Sequence, residues 1–170
     1  MIELITNIGL LSAVIYLLIL LYLIIGIIRT KTELTDEQPF VSVIVAAHNE
    51  DQNINACLDS LLNQDYSQQK MEIIVANDRS EDDTGLIVSK YEKNNTLIRV
   101  LTISDCVLGL SPKKNALTHG INIANGEIIA VIDADCRAPI QWLKRGVSYF
   151  TPETGMVVGL APLNPTSWWM

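Results

Sequence analysis

Basic residues are the scarcer charge in this chain: 12 Lys and Arg stand against 19 Asp and Glu, a formal net charge of -7 over 170 residues. That balance excludes the footprint of a nucleic-acid binder, which needs clustered Lys and Arg to neutralise phosphates. Cysteine is also sparse. Cys57, Cys106 and Cys136 are an odd number at wide spacing, which fits neither a disulfide framework nor a structural zinc site and points to a reducing compartment. No G-x-G-x-x-G follows the first short apolar run of the polar region, which argues against a dinucleotide-dependent dehydrogenase. A phosphoacceptor receiver would want several acids there, and His48-Asn49-Glu50 offers one. No internal repeat or low-complexity tract competes with a globular reading.

Charge is missing altogether from Ile8 to Ile28, IGLLSAVIYLLILLYLIIGII. At 1.5 Å rise per residue this run spans roughly 31 Å, about the hydrocarbon thickness of a bilayer. A cleaved signal peptide would carry basic residues before a shorter core and small residues at its cleavage site, whereas Glu3 precedes this core and no A-x-A follows it. A buried helix of a soluble core would show a polar face, and here only Ser12, Tyr16 and Tyr22 interrupt the apolar residues. Residues 1–29 are therefore expected to form a single transmembrane anchor. Arg29 and Lys31 follow the span and no Lys or Arg precedes it, so the positive-inside bias predicts a single-pass cell-membrane protein with its soluble domain in the cytoplasm.

Residues 30–38 are polar, precede Pro39 and read as a linker. Beyond them short apolar runs alternate with amphipathic stretches. Val41 to Ala47 predicts a strand, and Ile54, Cys57, Leu58, Leu61 and Leu62 then recur at helical spacing. Glu72 to Ala76 predicts a second strand; Ser80 with Asp83 forms a capping-box signal for a helix carrying Leu86, Ile87 and Tyr91. Leu97 to Ile103 predicts a third strand. Ser111-Pro112 opens a helix whose stripe is Leu117, Gly120, Ile121 and Ala124, ended by Asn125-Gly126. Ile128 to Ile132, apolar throughout, predicts a fourth strand at the centre of the sheet, buried on both faces. Pro139 is expected to start a helix with Ile140, Leu143, Val147 and Phe150 inward, and Met156 to Gly159 a fifth strand. Repeated βα units of this length imply an α/β fold: a mostly parallel, Rossmann-like sheet flanked by helices, with ligands at the carboxyl ends of its strands.

Polar clusters stand at those ends. The first strand runs into Ala47-His48-Asn49-Glu50, the second into Asn77-Asp78-Arg79-Ser80, the fourth into Asp133-Ala134-Asp135-Cys136. With ten Asp in 170 residues, an Asp-x-Asp triplet arises by accident in roughly every second such chain, so the bare pattern is weak. Its position directly after a buried strand is far less accidental, because adjacent carboxylates there repel unless something positive lies between them. On extended backbone residues i and i+2 share a side, so Asp133 and Asp135 can aim at one hard dication, Mg²⁺ or Mn²⁺. Lys113 and Lys114 open a helix, where cations oppose the macrodipole, which favours a functional reason for them over solvated placement. His48 and His119 lack paired ligand spacing and read as loop and helix-surface residues; Trp142 reads as core.

The order PFVSVIVAAHNE, EIIVANDRSEDDT, SPKKNALTHGI and GEIIAVIDADC resembles the amino-terminal half of family 2 glycosyltransferases of the GT-A fold, over about Pro39 to Gly159. The resemblance implies a nucleotide-sugar-binding domain over residues 39–165. It implies that Ala47, Asn49 and Glu50 line the nucleotide, that Asp78 accepts a hydrogen bond from the base, typically uracil, and that Lys113 approaches the donor. Asp133 and Asp135 match the DxD pair, with Asp133 also on the nucleotide-sugar and Asp135 as the usual direct metal ligand. The implied partners are a nucleoside-diphosphate sugar, most often a UDP-sugar, a lipid or glycan acceptor, and the bilayer, with no nucleic acid. The implied reaction is inverting transfer to an acceptor hydroxyl.

Such transfer needs a carboxylate general base, which in the family follows the fifth strand. Glu153 is the last acid of this chain, and neutral residues run from it to Trp168, Trp169 and Met170. The base is accordingly expected beyond Met170, in an acceptor half that is absent here, so that the sequence reads as a truncated or partial chain. A non-catalytic nucleotide-binding or scaffolding module is the alternative that the missing base favours.

Overall fold

A computed structural model describes residues 2–29, 34–105 and 109–159. The chain divides into two compact units, Met1–Glu33 and Leu34–Met170. Within the first, helix α1 (Ile2–Arg29) contains a 21-residue stretch, Thr6–Gly26, of mean hydropathy 2.8 with none of its side chains buried. Such a helix is long and apolar enough to cross a membrane. Its one serine is satisfied internally: the Ser12 hydroxyl donates to the Ile8 carbonyl at 2.8 Å.

The second unit alternates strands and helices: β1 (Val41–Ala47), α2 (Ile54–Leu62), β2 (Met71–Asp78), α3 (Thr84–Asn94), β3 (Ile98–Ile103), α4 (Pro112–Asn122), β4 (Ile128–Asp133) and α5 (Trp142–Ser148). The strands form one parallel sheet in the order β3-β2-β1-β4. Period-two alternation divides each strand between two helical layers. Val41, Val43 and Val45 of β1 and Ile73 and Val75 of β2 pack with Ile54, Leu58 and Leu61 of α2, Val88 of α3 and Leu143 and Val147 of α5. On the opposite face Ala76 and Ile103 meet Ala116 of α4. Ile44 also points there, and Gly120 lets α4 approach it: a Cβ on Gly120 would come within 2.8 Å of the Ile44 side chain. Side chains with no exposed surface, such as Ile44 and Leu58, each stabilise the fold by about 1.5–3 kcal/mol.

Far from the carboxyl ends, a polar latch joins the strand starts. The buried Ser42 hydroxyl donates to Glu72 Oε1 at 2.6 Å and accepts from the Gly126 main chain at 2.8 Å, while the Asn125 N–H donates to the same Glu72 oxygen at 2.7 Å. Desolvation alone would raise the Glu72 pKa, but the hydrogen bonds from Ser42 and Asn125, with help from Arg99, outweigh it and hold the carboxyl below its ordinary 4.5.

Several expectations are corrected. The central strands are β1 and β2; β4 is outermost among the described residues, with Val131 44% exposed, so an unbroken apolar run did not mean burial on both faces. Residues 156–159 form no strand, and Met156 and Val158 are 77% and 78% exposed, because no ladder partner reaches them among the described residues. Helix α5 starts at Trp142, the preceding residues closing a turn in which the Trp142 N–H donates to the Pro139 carbonyl at 2.8 Å, and Ile140 is exposed. The inward face of α4 is Asn115, Ala116 and Gly120, with Ile121 exposed; Asn115 is buried because its amide donates to the Asp105 carbonyl at 2.9 Å. Trp142 does pack against the core. His119 lies half-buried on α4, with its Nε2 shielded and without a hydrogen-bond partner among the described residues. Cys106, Lys31, Trp168, Trp169 and Met170 lie outside the described residues.

Candidate active site

Register determines what shares the carboxyl edge of the sheet. Ala47 pairs with Asn77 across β1 and β2, and Ala46 with Asp133 across β1 and β4, so the polar clusters after β2, β1 and β4 stand side by side. Together they wall a cleft of about 310 Å³. Ala47, His48 and Glu50 enter from β1, Asp78 from β2, Lys113 and Ala116 from α4, and Asp133, Ala134 and Asp135 from β4. Asn49 is exposed and does not line the cleft.

The β1 and β2 ends are bound to each other. Asn49 and Arg79, one after each strand, both adopt left-handed backbone, φ 55° and 53°, a conformation that costs a non-glycine residue about 1 kcal/mol or more. The Asn49 N–H donates to the Ser80 hydroxyl at 3.0 Å, and Asn49 Oδ1 accepts from the Glu81 N–H at 2.8 Å. The Ser80 hydroxyl in turn donates to Asn77 Oδ1 at 2.5 Å. Asn49 thus shapes the rim, and Ser80 braces the loop instead of capping α3. The N-cap residue Asp83 makes no side-chain cap bond; the residue before it, Asp82, turns its carboxylate onto the Thr84 N–H at 3.0 Å and the Asp51 N–H at 3.1 Å. Desolvation opposes ionisation of Asp82, but bonds from the Thr84 hydroxyl and these main-chain donors outweigh it and hold the carboxyl below its usual range. The Glu50 N–H donates to the buried Thr84 hydroxyl at 2.8 Å, and Asn53 Nδ2 donates to Glu50 Oε2 at 2.9 Å.

Asp78 is buried, 1% exposed. Arg79 grips it from one side, with Nε 2.7 Å from Oδ1 and Nη2 3.1 Å from Oδ2. His48 Nδ1 lies 2.7 Å from the Asp78 main-chain oxygen. A carbonyl only accepts, so Nδ1 carries a hydrogen in this contact.

At the β4 end, Lys113 Nζ sits 2.6 Å from Oδ1 and 2.8 Å from Oδ2 of Asp133. Asp135 is exposed, and the Cys136 thiol points to its Oδ1 at 3.5 Å. Beneath the loop, the Asp133 carbonyl accepts from the Cys136 N–H at 3.0 Å and from the Cys57 thiol at 3.7 Å. Burial first, then the nearby Cys136 and the acids of the loop, push the Cys57 thiol up to about 12. Burial and the Asp135 carboxylate raise Cys136 as well.

Among the described residues no group of three or more His, Cys, Asp or Glu surrounds a common metal position. Two carboxylates on one loop still suit a hard dication of the Mg²⁺ type, which commonly takes one or two protein carboxylates and fills its remaining positions with phosphate oxygens and water. The ammonium already resting on Asp133 marks the spot as one that attracts positive charge.

The structure therefore brings Ala47, Glu50, Asp78, Lys113, Asp133 and Asp135 into one cleft and leaves Asn49 at its rim. Sequence reasoning missed His48, Ala116 and the bracing role of Arg79. His48 was legible as part of the polar cluster after β1; nothing in the sequence marked Ala116, whose small side chain faces the cleft because α4 is rotated relative to the expected stripe.

A family model described as Glycosyl transferase family 2 matches residues 42–168. The chain is 36% identical over 115 residues to "Glycosyltransferase AglE" of Haloferax volcanii, covering 68% of this chain and 36% of that protein. Among solved structures, the mannosyltransferase PcManGT from Pyrobaculum calidifontis, in complex with GDP-Man and Mn²⁺, superposes with a TM-score of 0.65 at 26% identity, covering 75% of this chain and 37% of that one. S. aureus TarS 1-349 in complex with UDP-GlcNAc superposes with a TM-score of 0.52 at 30% identity, covering 63% and 30%. The chain spans about a third of the length of each of these relatives.

Proposed function

The chain belongs to glycosyl transferase family 2, and we propose that its cleft binds a nucleoside-diphosphate sugar for transfer to an acceptor hydroxyl on a lipid or glycan. The observation that carries the reading is the meeting of Asp78, from an interior strand, with Asp133 and Asp135, from its neighbour but one, across a single cleft.

Each residue has a role that its surroundings support. Asp78, kept in place by Arg79, accepts a hydrogen bond from a ring N–H of the base; a UDP-sugar suits this, although the relatives' GDP-Man and UDP-GlcNAc differ in both base and sugar. Ala47 and Glu50 line the nucleotide, and Asn49 fixes the loop that carries them. Asp133 and Asp135 hold a dication, Mg²⁺ or Mn²⁺, which when bound offsets the negative charge that grows on the departing diphosphate. Lys113 supplies a further positive charge at the same place. None of these groups is assigned the acceptor's proton: Asp78 is buried under Arg79 and Glu50 is tied to Asn53. That task we assign to a carboxylate outside the cleft residues described, in an inverting displacement at the anomeric carbon. Helix α1 serves as a single membrane anchor, residues 30–38 as a linker, and residues 39–165 as the nucleotide-sugar-binding domain, facing the cytoplasm.

The test is calorimetric titration of the full chain with UDP and with GDP, with and without Mn²⁺, beside the Asp135→Asn variant. Nucleotide binding that requires Mn²⁺ and falls at least tenfold in the variant is expected; no nucleotide binding in the presence of Mn²⁺ would overturn the reading.

A further inference from the structure

This inference rests on the nucleotide-sugar reading and concerns how the cleft manages charge before a donor arrives. Four carboxylates line it: Glu50, Asp78, Asp133 and Asp135. Asp78 is answered by Arg79 from its own loop and Glu50 by Asn53 from its own turn. Asp133 is different. Its partner is Lys113, 20 residues earlier in the chain and on another element, whose single ammonium bridges both carboxylate oxygens at 2.6 and 2.8 Å. The lysine side chain is 58% exposed on a flexible stem, so it can leave without disturbing the core. It also sits in the first turn of α4, where the macrodipole disfavours a cation, so the helix does not hold it there.

With Nζ astride both oxygens, Lys113 covers the side of the Asp133 carboxylate between them, and its charge repels a dication approaching the same group. We propose that Lys113 is a resident counter-ion: it occupies Asp133 in the ligand-free protein and transfers to the diphosphate when donor binds, which makes metal and nucleotide bind cooperatively. A dication arriving alone has to displace the ammonium, and the ion pair is lost without replacement. With a diphosphate present, Lys113 exchanges one anionic acceptor for another and Asp133 is released. Each ligand thus removes an obstacle to the other, and the coupling must be equal in both directions.

The test measures Mn²⁺ affinity of the full chain, from the paramagnetic resonance signal of the free ion, with and without UDP (or GDP, if only GDP binds). Three proteins are compared: the unmodified chain, Lys113→Met and Lys114→Met. Without nucleotide, K113M is expected to bind Mn²⁺ about two- to five-fold tighter, the equivalent of one exposed ion pair. The factor by which nucleotide tightens Mn²⁺ should shrink at least as much. Lys114 is exposed and does not line the cleft, contrary to the functional role its place at the helix start suggested, so K114M, which makes the same charge change, should alter neither quantity. Equal or weaker Mn²⁺ binding by K113M, or equal tightening by K114M, would overturn the proposal while leaving the nucleotide site standing. Failure of all three proteins to bind Mn²⁺ would overturn the metal reading and this proposal together.

Discussion

Arg79 holds the carboxylate of the residue immediately before it. Neighbouring side chains on a strand point to opposite faces, but the left-handed φ of 53° at Arg79 turns its guanidinium back over Asp78, so that two parallel hydrogen bonds of 2.7 and 3.1 Å form between adjacent residues. The result is a buried acid whose direction is fixed before any ligand arrives.

Removing that grip strands a buried charge. Arg79→Gln is expected to lower stability by about 1–3 kcal/mol, as losing charged hydrogen bonds to a buried acceptor does. Asp78→Asn in the same background should recover part of the loss, because the amide tolerates burial better than an unanswered carboxylate. Urea denaturation of the single and double variants measures both; strictly additive losses would contradict the coupling.

Two glycines should respond oppositely to the same methyl group. At Gly126 a Cβ would overlap the main-chain nitrogen of Ser42, which is backbone of the central strand β1 and cannot move aside. Gly126→Ala should therefore cost about 1–3 kcal/mol through overpacking and a strained latch. Gly146 lies within α5 with open space around it, so Gly146→Ala should stabilise by about 0.5–1 kcal/mol through helix propensity. Thermal unfolding of the two variants gives the signs directly.

The latch also titrates. Glu72 has its folded-state pKa below the ordinary 4.5, so it binds protons less readily folded than unfolded. Its stabilising contribution is complete above 4.5 and disappears as pH falls through the lower folded value. The stability difference between the native chain and Glu72→Gln should accordingly be constant near neutrality and narrow below pH 4.5. Denaturation curves between pH 7 and about 3 test this; a gap that widened toward acid would reverse the sign.

Cys57 should be inert while the protein is folded. With its thiol pushed up to about 12, the thiolate is roughly one part in ten thousand at pH 8, and the side chain is fully buried. Iodoacetamide labelling followed by peptide mapping should modify half-buried Cys136 first and Cys57 only on unfolding. Native-state labelling of Cys57 as fast as of a free thiol would contradict its placement.

Periodicity made the interior strands and the first helix legible. Val41 to Ala47 forms a strand over the expected residues, and α2 buries Ile54, Cys57, Leu58 and Leu61 as their spacing required. Both lie where local pattern and tertiary burial agree. The pattern failed where a neighbour decides the outcome. Ile128 to Ile132 reads as doubly buried, yet strand order leaves it outermost among the described residues, and order is not written in any one strand. Ser80 and Asp83 have capping-box spacing, but Asn77 and Asn49 claim the serine, and Asp83 stands at the N-cap with no side-chain cap bond while Asp82 takes the Thr84 N–H. The cleft acids were legible because each follows an apolar strand directly, and parallel strands deliver their ends to one edge. The Lys113–Asp133 ion pair was not, since it joins two elements whose relative placement only the folded sheet sets.

The outer position of β4 among the described residues gives the cleft two margins that differ in their ladder support. Asp78 rises from a strand laddered on both sides, whereas Asp133 ends one laddered only to β1 among the described residues. Amide protons of β4 will exchange with solvent sooner than those of β2, and breathing of that strand will be felt first by the paired aspartates. Among the described residues, one wall of the cleft is thereby rooted in the middle of the sheet and the other in its outermost strand.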